Sequence, residues 1–193
     1  MFSGIITDLG EITFFDLDKK VIEINTKLKN IFLGQSISCS GVCLTVAKIK
    51  NNTFLCNLSE ETISKTNLNQ KKVGDILNLE KSLKLGDEIN GHLVYGHVDE
   101  TTNLNFIEKL DGSNILTFTL SCNLRKYLTP KCSISIDGIS LTVNRVLKDS
   151  FNVSAIPYTW ENTSLKNSKI GDIFNIEIDM LARYVHGALK NEK

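Results

Sequence analysis

The 193-residue sequence lacks an excess of either charge: 22 lysines and arginines balance 22 aspartates and glutamates. With no block of like sign, a face for nucleic acid or for an anionic membrane is not expected. Paired cysteines are missing too. Cys39, Cys43, Cys56, Cys122 and Cys132 are odd in number and form no CxxC pair. This argues against a disulfide framework and a zinc ribbon, and fits reduced thiols in a cytoplasmic protein. The amino terminus has no basic segment and meets Asp8 early, so no signal peptide is expected. No apolar run approaches the roughly 18 residues of a membrane span. Gly-rich phosphate loops and HExxH, GxSxG and EF-hand patterns are absent as well, which leaves nucleotide- and metal-driven chemistry without its usual residues.

What the sequence does contain is a copy of itself. An offset of 97 lays Ser36-Ile37-Ser38 on Ser133-Ile134-Ser135 and Gly41-Val42-Cys43-Leu44-Thr45-Val46 on Gly138-Ile139-Ser140-Leu141-Thr142-Val143. The same offset, without a gap, lays Val73-Gly74-Asp75-Ile76-Leu77-Asn78-Leu79-Glu80 on Ile170-Gly171-Asp172-Ile173-Phe174-Asn175-Ile176-Glu177. So long a period makes each copy a domain rather than a stacked module. The division expected is residues 1–92, 93–178 and a tail, 179–193.

Within each copy the apolar residues alternate, as in Val21-Ile22-Glu23-Ile24 and Phe54-Leu55-Cys56-Asn57-Leu58. That period of two predicts strands, about six per copy. Asn51-Asn52 and Asp149-Ser150 predict hairpin turns. A short sheet with this many strands hides its edges best by closing into a small barrel. Brief helical turns are expected at Glu60–Ile63 and Asn123–Tyr127. In the tail, Met180, Leu181, Tyr184, Val185, Ala188 and Leu189 recur at helical spacing behind Asp179 as N-cap. An amphipathic helix of about ten residues is marginal alone. Packing on its own domain and association with the same helix of other subunits both suit this stripe.

Polar residues recur at matching positions of the two copies: Ser36 with Ser133, Thr45 with Thr142, Thr62 with Thr159. They could bind a hydroxyl-rich neutral ligand in both halves, or reflect only the β-propensity of threonine and the turn chemistry of hydroxyls. His92 and His97 are framed by glycines at the junction of the halves. As metal ligands they would need partners, for which Cys39 and Cys43 are candidates by type but not by any recognised spacing. The copies are also unequal. Cys43 matches Ser140, Ser40 matches Asp137, and Gly34 matches Lys131.

These motifs resemble one family, the riboflavin synthases with two lumazine-binding repeats. Met1-Phe2-Ser3-Gly4-Ile5-Ile6 is similar to that family's MFTGI start. Gly91-His92-Leu93-Val94-Tyr95-Gly96-His97-Val98-Asp99 is similar to its GGHxxxGHVD segment, and Asp137–Val143 to its DGxSLTV segment. Ser40, Asn90, Tyr95 and Cys132 depart from the pattern. The resemblance implies an all-β chain of two tandem six-stranded Greek-key barrels with a C-terminal trimerisation helix. It implies a cofactor-independent, metal-free dismutation of two 6,7-dimethyl-8-ribityllumazine molecules by four-carbon transfer, giving riboflavin and 5-amino-6-ribitylamino-uracil. A homotrimer and association with lumazine synthase are the implied partners.

Carried onto this sequence, the resemblance implies a first-half pocket of Gly4, Ile5, Ile6, Cys43, Leu44, Thr45 and Asn57-Leu58-Ser59-Glu60-Glu61-Thr62. The second-half pocket would hold Gly96, His97, Val98, Lys131, Ser140, Leu141, Thr142 and Ala155-Ile156-Pro157-Tyr158-Thr159-Trp160. His97, Ser140 and Asp137 are expected to form a hydrogen-bonded proton relay, with Lys131 also catalytic and Cys43 and Ser36 assisting addition at the opposite ring. The alternative is a non-catalytic lumazine antenna, which should show an eroded second pocket and tail helix.

Overall fold

A computed structural model describes residues 1–191; the last two of the expected tail, 192 and 193, lie outside the described residues. The first half contains β1 (Asp8–Asp16), β2 (Val21–Asn25), β3 (Ser36–Cys39), β4 (Val42–Lys50), β5 (Thr53–Asn57), α1 (Glu60–Lys65) and β6 (Ile76–Lys81). The second repeats it with β7 (Glu100–Leu110), β8 (Ser113–Thr119), α2 (Cys122–Arg125), β9 (Ser133–Ile136), β10 (Ile139–Val146), β11 (Ser150–Ala155), α3 (Pro157–Asn162) and β12 (Ile173–Ile178). α4 (Met180–Asn191) follows.

Each half is a closed antiparallel barrel with the same strand order, β1-β2-β5-β4-β3-β6 and β7-β8-β11-β10-β9-β12. Three consecutive strands joined by hairpins, with a fourth returning beside the first of them, make the Greek key. Closing so small a sheet requires sharp bending, and an extra residue bulges from each long strand: Thr13, Ala47, Asn105 and Asn144. Isoleucines 12, 22, 24 and 37 with Phe54 and Leu79 fill one barrel. Leu104, Leu116, Phe118, Phe151, Phe174 and Ile176 fill the other.

The turn expected at Asp149-Ser150 shifts: Ser150 already opens β11, and residues 147–149 make a three-residue loop closed by Leu147 N–H donating to Ser150 O, 2.7 Å. At this hairpin the first copy alone has a two-residue turn, between β4 and β5, where Asn51 takes a positive φ of 53°. α1 begins as its sequence suggests, with Ser59 Oγ accepting from Thr62 N–H at 3.0 Å.

β6 and β12 are buried on both faces. Their inward residues join the cores, while Asn78, Glu80, Asn175 and Glu177 point outward into the seam between the barrels. There Asn78 Nδ2 donates to Asp137 O at 2.9 Å and Asn175 Nδ2 to Ser40 O at 2.8 Å, a pair related by the duplication. Two buried amides satisfied in this way join the two barrels into one body. Phe2, fully buried, bridges to Val94 in the 82–99 segment that links them. α4 is tied to the second barrel by an Arg183–Asp99 ion pair and by His186 edge-on to Tyr127 at 5.0 Å. Asp179 Oδ1 caps it by accepting from Leu181 N–H. Among the described residues no helix is long and apolar enough to cross a membrane.

Candidate functional site

The hairpins β3–β4 and β9–β10 place their polar residues outside the barrels. Along β4 the even positions Val42, Leu44 and Val46 are buried, which turns Cys43 and Thr45 outward. Across the ladder Ser38 faces Cys43 and Ser36 faces Thr45; in the second barrel Ser135 faces Ser140 and Ser133 faces Thr142. The result is two equivalent hydroxyl- and thiol-bearing faces. Leu44, Leu141, Leu58 and Ala155 instead bury their side chains in the cores, so only their backbone is available to a ligand.

A strap of chain crosses each face. Ser140 N–H donates to Gly4 O at 2.8 Å, and Cys43 N–H donates to Gly96 O at 2.9 Å. Gly4 and Gly96 carry positive φ values of 77° and 76°. A Cβ on either would lie 2.6 Å from the Cβ of Ser140 or Cys43, so only glycine lets the backbones meet. Each strap is held from behind by a buried carboxylate. Glu80 accepts from Ser3 N–H, Ser3 Oγ–H and Gly4 N–H at 2.7–2.9 Å, and Glu177 from the N–H groups of Tyr95, Gly96 and His97 at 2.7–3.1 Å. Burial raises both carboxyl pKa values, and these N–H donors oppose the rise.

The straps are exchanged between the barrels. Ile6 packs on the second barrel's core and Val98 on the first. The two pockets expected from the sequence are thereby corrected: Gly4, Ile5 and Ile6 belong with Ser140, Leu141 and Thr142, and Gly96, His97 and Val98 with Cys43, Leu44 and Thr45. The first copy is also shorter than the second. Ile12 N–H and Leu104 N–H bond to Asp75 O and Asp172 O respectively, so the strand starts correspond at an offset of 92 while the later strands correspond at 97. The additional residues enter at the β7–β8 hairpin and around α2.

The expected His97–Ser140–Asp137 relay does not form. Ser140 Oγ lies 2.7 Å from His92 Nδ1 instead. Burial pushes the His92 pKa below its ordinary value, a fall that nearby Asp179 opposes, so the imidazole is held neutral. His97 lies exposed beside Cys43, its ring 6.1 Å from that of Tyr95. Asp137 sits in the seam, where its Oδ1 accepts from Asn175 N–H at 2.7 Å and Asn67 Nδ2 at 3.2 Å. Its seam position follows from its equivalence to Ser40, whose Oγ accepts from Asn78 N–H in the same way.

Lys131 is exposed at the rim of the second face with φ 73°, a conformation its counterpart Gly34 adopts freely at 82°. A lysine in a left-handed conformation costs of order 1 kcal/mol, and Lys20 adopts one too, with φ 54°. Asn57, Ser59, Glu60, Glu61 and Thr62 lie at the end of β5 and on α1; Ile156, Pro157, Tyr158, Thr159 and Trp160 lie correspondingly after β11 and on α3, where Ile156 and Tyr158 are exposed. Cys39 and Cys56 are buried thiols whose pKa values burial drives up, that of Cys56 to about 12, which makes them inert. Glu80 and Glu177 went unnoticed in the sequence as functional residues, although the 97-residue offset pairs them. Among the described residues no group of three or more His, Cys, Asp or Glu side chains is placed to hold a metal ion.

The family model described as "Lumazine binding domain" matches this chain twice, at residues 3–82 and 95–179. The chain is 42% identical over 195 residues to a riboflavin synthase of Brucella abortus (strain 2308), covering 95% of this chain and 96% of that one. It is 35% identical over 198 residues to a riboflavin synthase of Photobacterium phosphoreum, covering 100% and 91%. In fold it is similar to the crystal structure of LumP complexed with riboflavin, with a TM-score of 0.84 and 18% identity over 92% of this chain and 99% of that one. The structure of LumP complexed with 6,7-dimethyl-8-(1'-D-ribityl) lumazine gives 0.81 at the same identity, covering 92% and 98%.

Proposed function

Because this chain belongs to the riboflavin synthase family and carries two lumazine-binding domains, we propose that it converts two 6,7-dimethyl-8-ribityllumazine molecules into riboflavin and 5-amino-6-ribitylamino-uracil. A four-carbon unit passes from one ring system to the other, and the two products together contain every atom of the two substrates. The reaction is a transfer that uses no cofactor. The observation that carries this reading is the pair of equivalent outward faces with unequal chemistry, His92–Ser140–Lys131 on one and Cys43–His97 on the other.

Such a pair suits a reaction between two copies of one molecule, because pre-orienting both rings removes much of the entropic barrier. On the Ser140 face, neutral His92 takes up the proton that Ser140 Oγ receives from the acidic ring methyl group. The Lys131 ammonium at the rim stabilises the negative charge that then develops on the ring. On the other face Cys43, with Ser36 and Ser38 on the neighbouring strand, assists addition to the acceptor ring. Asp137 takes no part, since its carboxyl group is engaged in the seam.

The exposed apolar stripe of α4, with Leu181, Tyr184, Val185 and Leu189, fits assembly into a homotrimer. The two faces then meet between the first barrel of one subunit and the second barrel of a neighbour. The cytoplasm and an association with lumazine synthase complete the proposal.

Incubating the purified protein with 6,7-dimethyl-8-ribityllumazine and a chelator tests the reading. One riboflavin is expected for every two substrate molecules consumed, read by visible absorbance. Tight binding with an unchanged chromophore would overturn it and leave a lumazine carrier.

A further inference from the structure

Glu80 and Glu177 are 4% and 3% exposed and form no ion pair among the described residues. A carboxylate buried without a counter-charge is expensive, so what each one holds matters. Glu80 stands on β6 of the first barrel, across the ladder from Ser38, yet its hydrogen bonds lead to the Ser140 face of the second. Gly4 is clamped from both sides: its N–H donates to Glu80 Oε2 at 2.9 Å and its carbonyl accepts from Ser140 N–H at 2.8 Å. Ser3 is clamped likewise. Its N–H and Oγ–H donate to Glu80 Oε1, both at 2.7 Å, and its carbonyl accepts from His92 N–H at 3.1 Å. Ser140 and His92, whose Oγ and Nδ1 meet at 2.7 Å, thus hang from adjacent carbonyls that one carboxylate fixes.

Glu177, on β12 of the second barrel, does the same for the first. Gly96 N–H donates to its Oε2 at 2.9 Å while Gly96 O accepts from Cys43 N–H at 2.9 Å, and His97 N–H reaches the same Oε2 at 3.1 Å. Cys43 and His97 are thereby registered side by side through one carboxylate. Hydrogen bonds to an ionised acceptor are roughly twice as strong as neutral ones, which suits a clamp that must not drift.

We propose that Glu80 and Glu177 are crossed positioning residues: each, from its own barrel, sets the spacing of the paired reactive side chains on the other barrel's face. The effect on turnover rests on the reaction proposed above; the positioning itself does not.

Glutamine tests this because it keeps the shape but offers a single acceptor oxygen, setting its own N–H group against a strap N–H. The full-length protein is labelled with ¹⁵N in the imidazoles of its three histidines, and the Cys43 thiol is followed by iodoacetamide alkylation and peptide mass. In Glu80→Gln the His92 Nδ1 resonance should lose its hydrogen-bond shift, while Cys43 alkylates within about twofold of the parent's rate. In Glu177→Gln the His92 resonance should hold, and Cys43 should alkylate roughly fivefold faster once its strap lifts. Each variant should lower kcat roughly tenfold or more with KM within about threefold, since about 1 Å of misplacement costs on the order of a hundredfold. If Glu80→Gln fails to fold, Ser3→Ala, which takes one of the three donors from Glu80, should move the same His92 resonance in the same direction and leave Cys43 unaltered. Equal disturbance of both faces by each variant, an effect confined to the variant's own barrel, or no effect on either face would each overturn the proposal. A parent without turnover would count against the reaction alone, because the resonance and thiol readouts need no substrate.

Discussion

Asp137 shows how a single side chain's meaning depends on what surrounds it. In the sequence it precedes Gly138 and stands close to Ser140, and a catalytic part is the natural expectation. The structure gives it a positive φ of 44° in a turn buried against the other barrel. Burial, opposed by Lys71 and by the Asn175 and Asn67 donors, raises its pKa to about 6. Since the folded value exceeds the unfolded one, the folded protein binds more protons between about pH 4 and 6. The associated stability is full below that window and is lost as pH rises through about 6. A shift of about two pH units corresponds to on the order of 3 kcal/mol. Asp137→Asn keeps the acceptor for both N–H donors and a residue type that tolerates positive φ. Urea denaturation at pH 4 and pH 7.5 should therefore show the variant gaining about 2–3 kcal/mol on the parent between the two. An equal difference at both values would contradict the assignment. His92 has the opposite history: its glycine-framed position signalled function, but nothing in linear order could say that it, rather than His97, meets Ser140.

At the scale of elements, the strands and both barrels were legible because the hydrophobic period and the 97-residue offset report local and repeated structure. The exchange of straps was not. It rests on contacts such as Gly4 with Ser140 and Gly96 with Cys43, far apart in sequence, and on a different offset for the first strands. Nor did alternation reveal that β6 and β12 are buried on both faces, since Asn78, Glu80, Asn175 and Glu177 read as solvent-facing until the second barrel is packed on them. The straps make a direct prediction. Gly96→Ala places a Cβ 2.6 Å from Cys43 Cβ and 2.8 Å from Cys43 N, whereas Gly171, with a similar positive φ of 96°, has nothing within 4 Å of its Cβ position. Gly171→Ala should cost about 1 kcal/mol, the left-handed penalty alone. Gly96→Ala should cost about 2–4 kcal/mol, adding overpacking against a strand backbone. It should also lower kcat at least tenfold by moving His97 and Cys43 apart. Paired thermal melts and steady-state rates on the two variants check this; equal costs would mean that the strap is not in contact.

At the scale of the whole molecule, the barrels are complete without α4. Among the described residues, neither apolar core includes one from 180 onward, and the helix is attached by one ion pair and one aromatic contact. Its apolar residues face outward instead, with Leu181 66%, Tyr184 68%, Val185 60% and Leu189 60% exposed. A stripe of this kind on a twelve-residue helix supports the proposed assembly. Burying each such side chain contributes roughly 1.5–3 kcal/mol, so placing two charges there should outweigh the association of so small an element. The double variant Leu181→Asp, Val185→Asp is expected to sediment as a folded monomer with an unaltered β-sheet circular dichroism spectrum, while the parent sediments as a trimer. If the reacting pair of rings is sandwiched between barrels of different subunits, that monomer should still bind substrate on its separate faces yet lose nearly all turnover. A monomer that turns over at the parent's rate would place both rings within one chain, and α4 would then serve assembly alone.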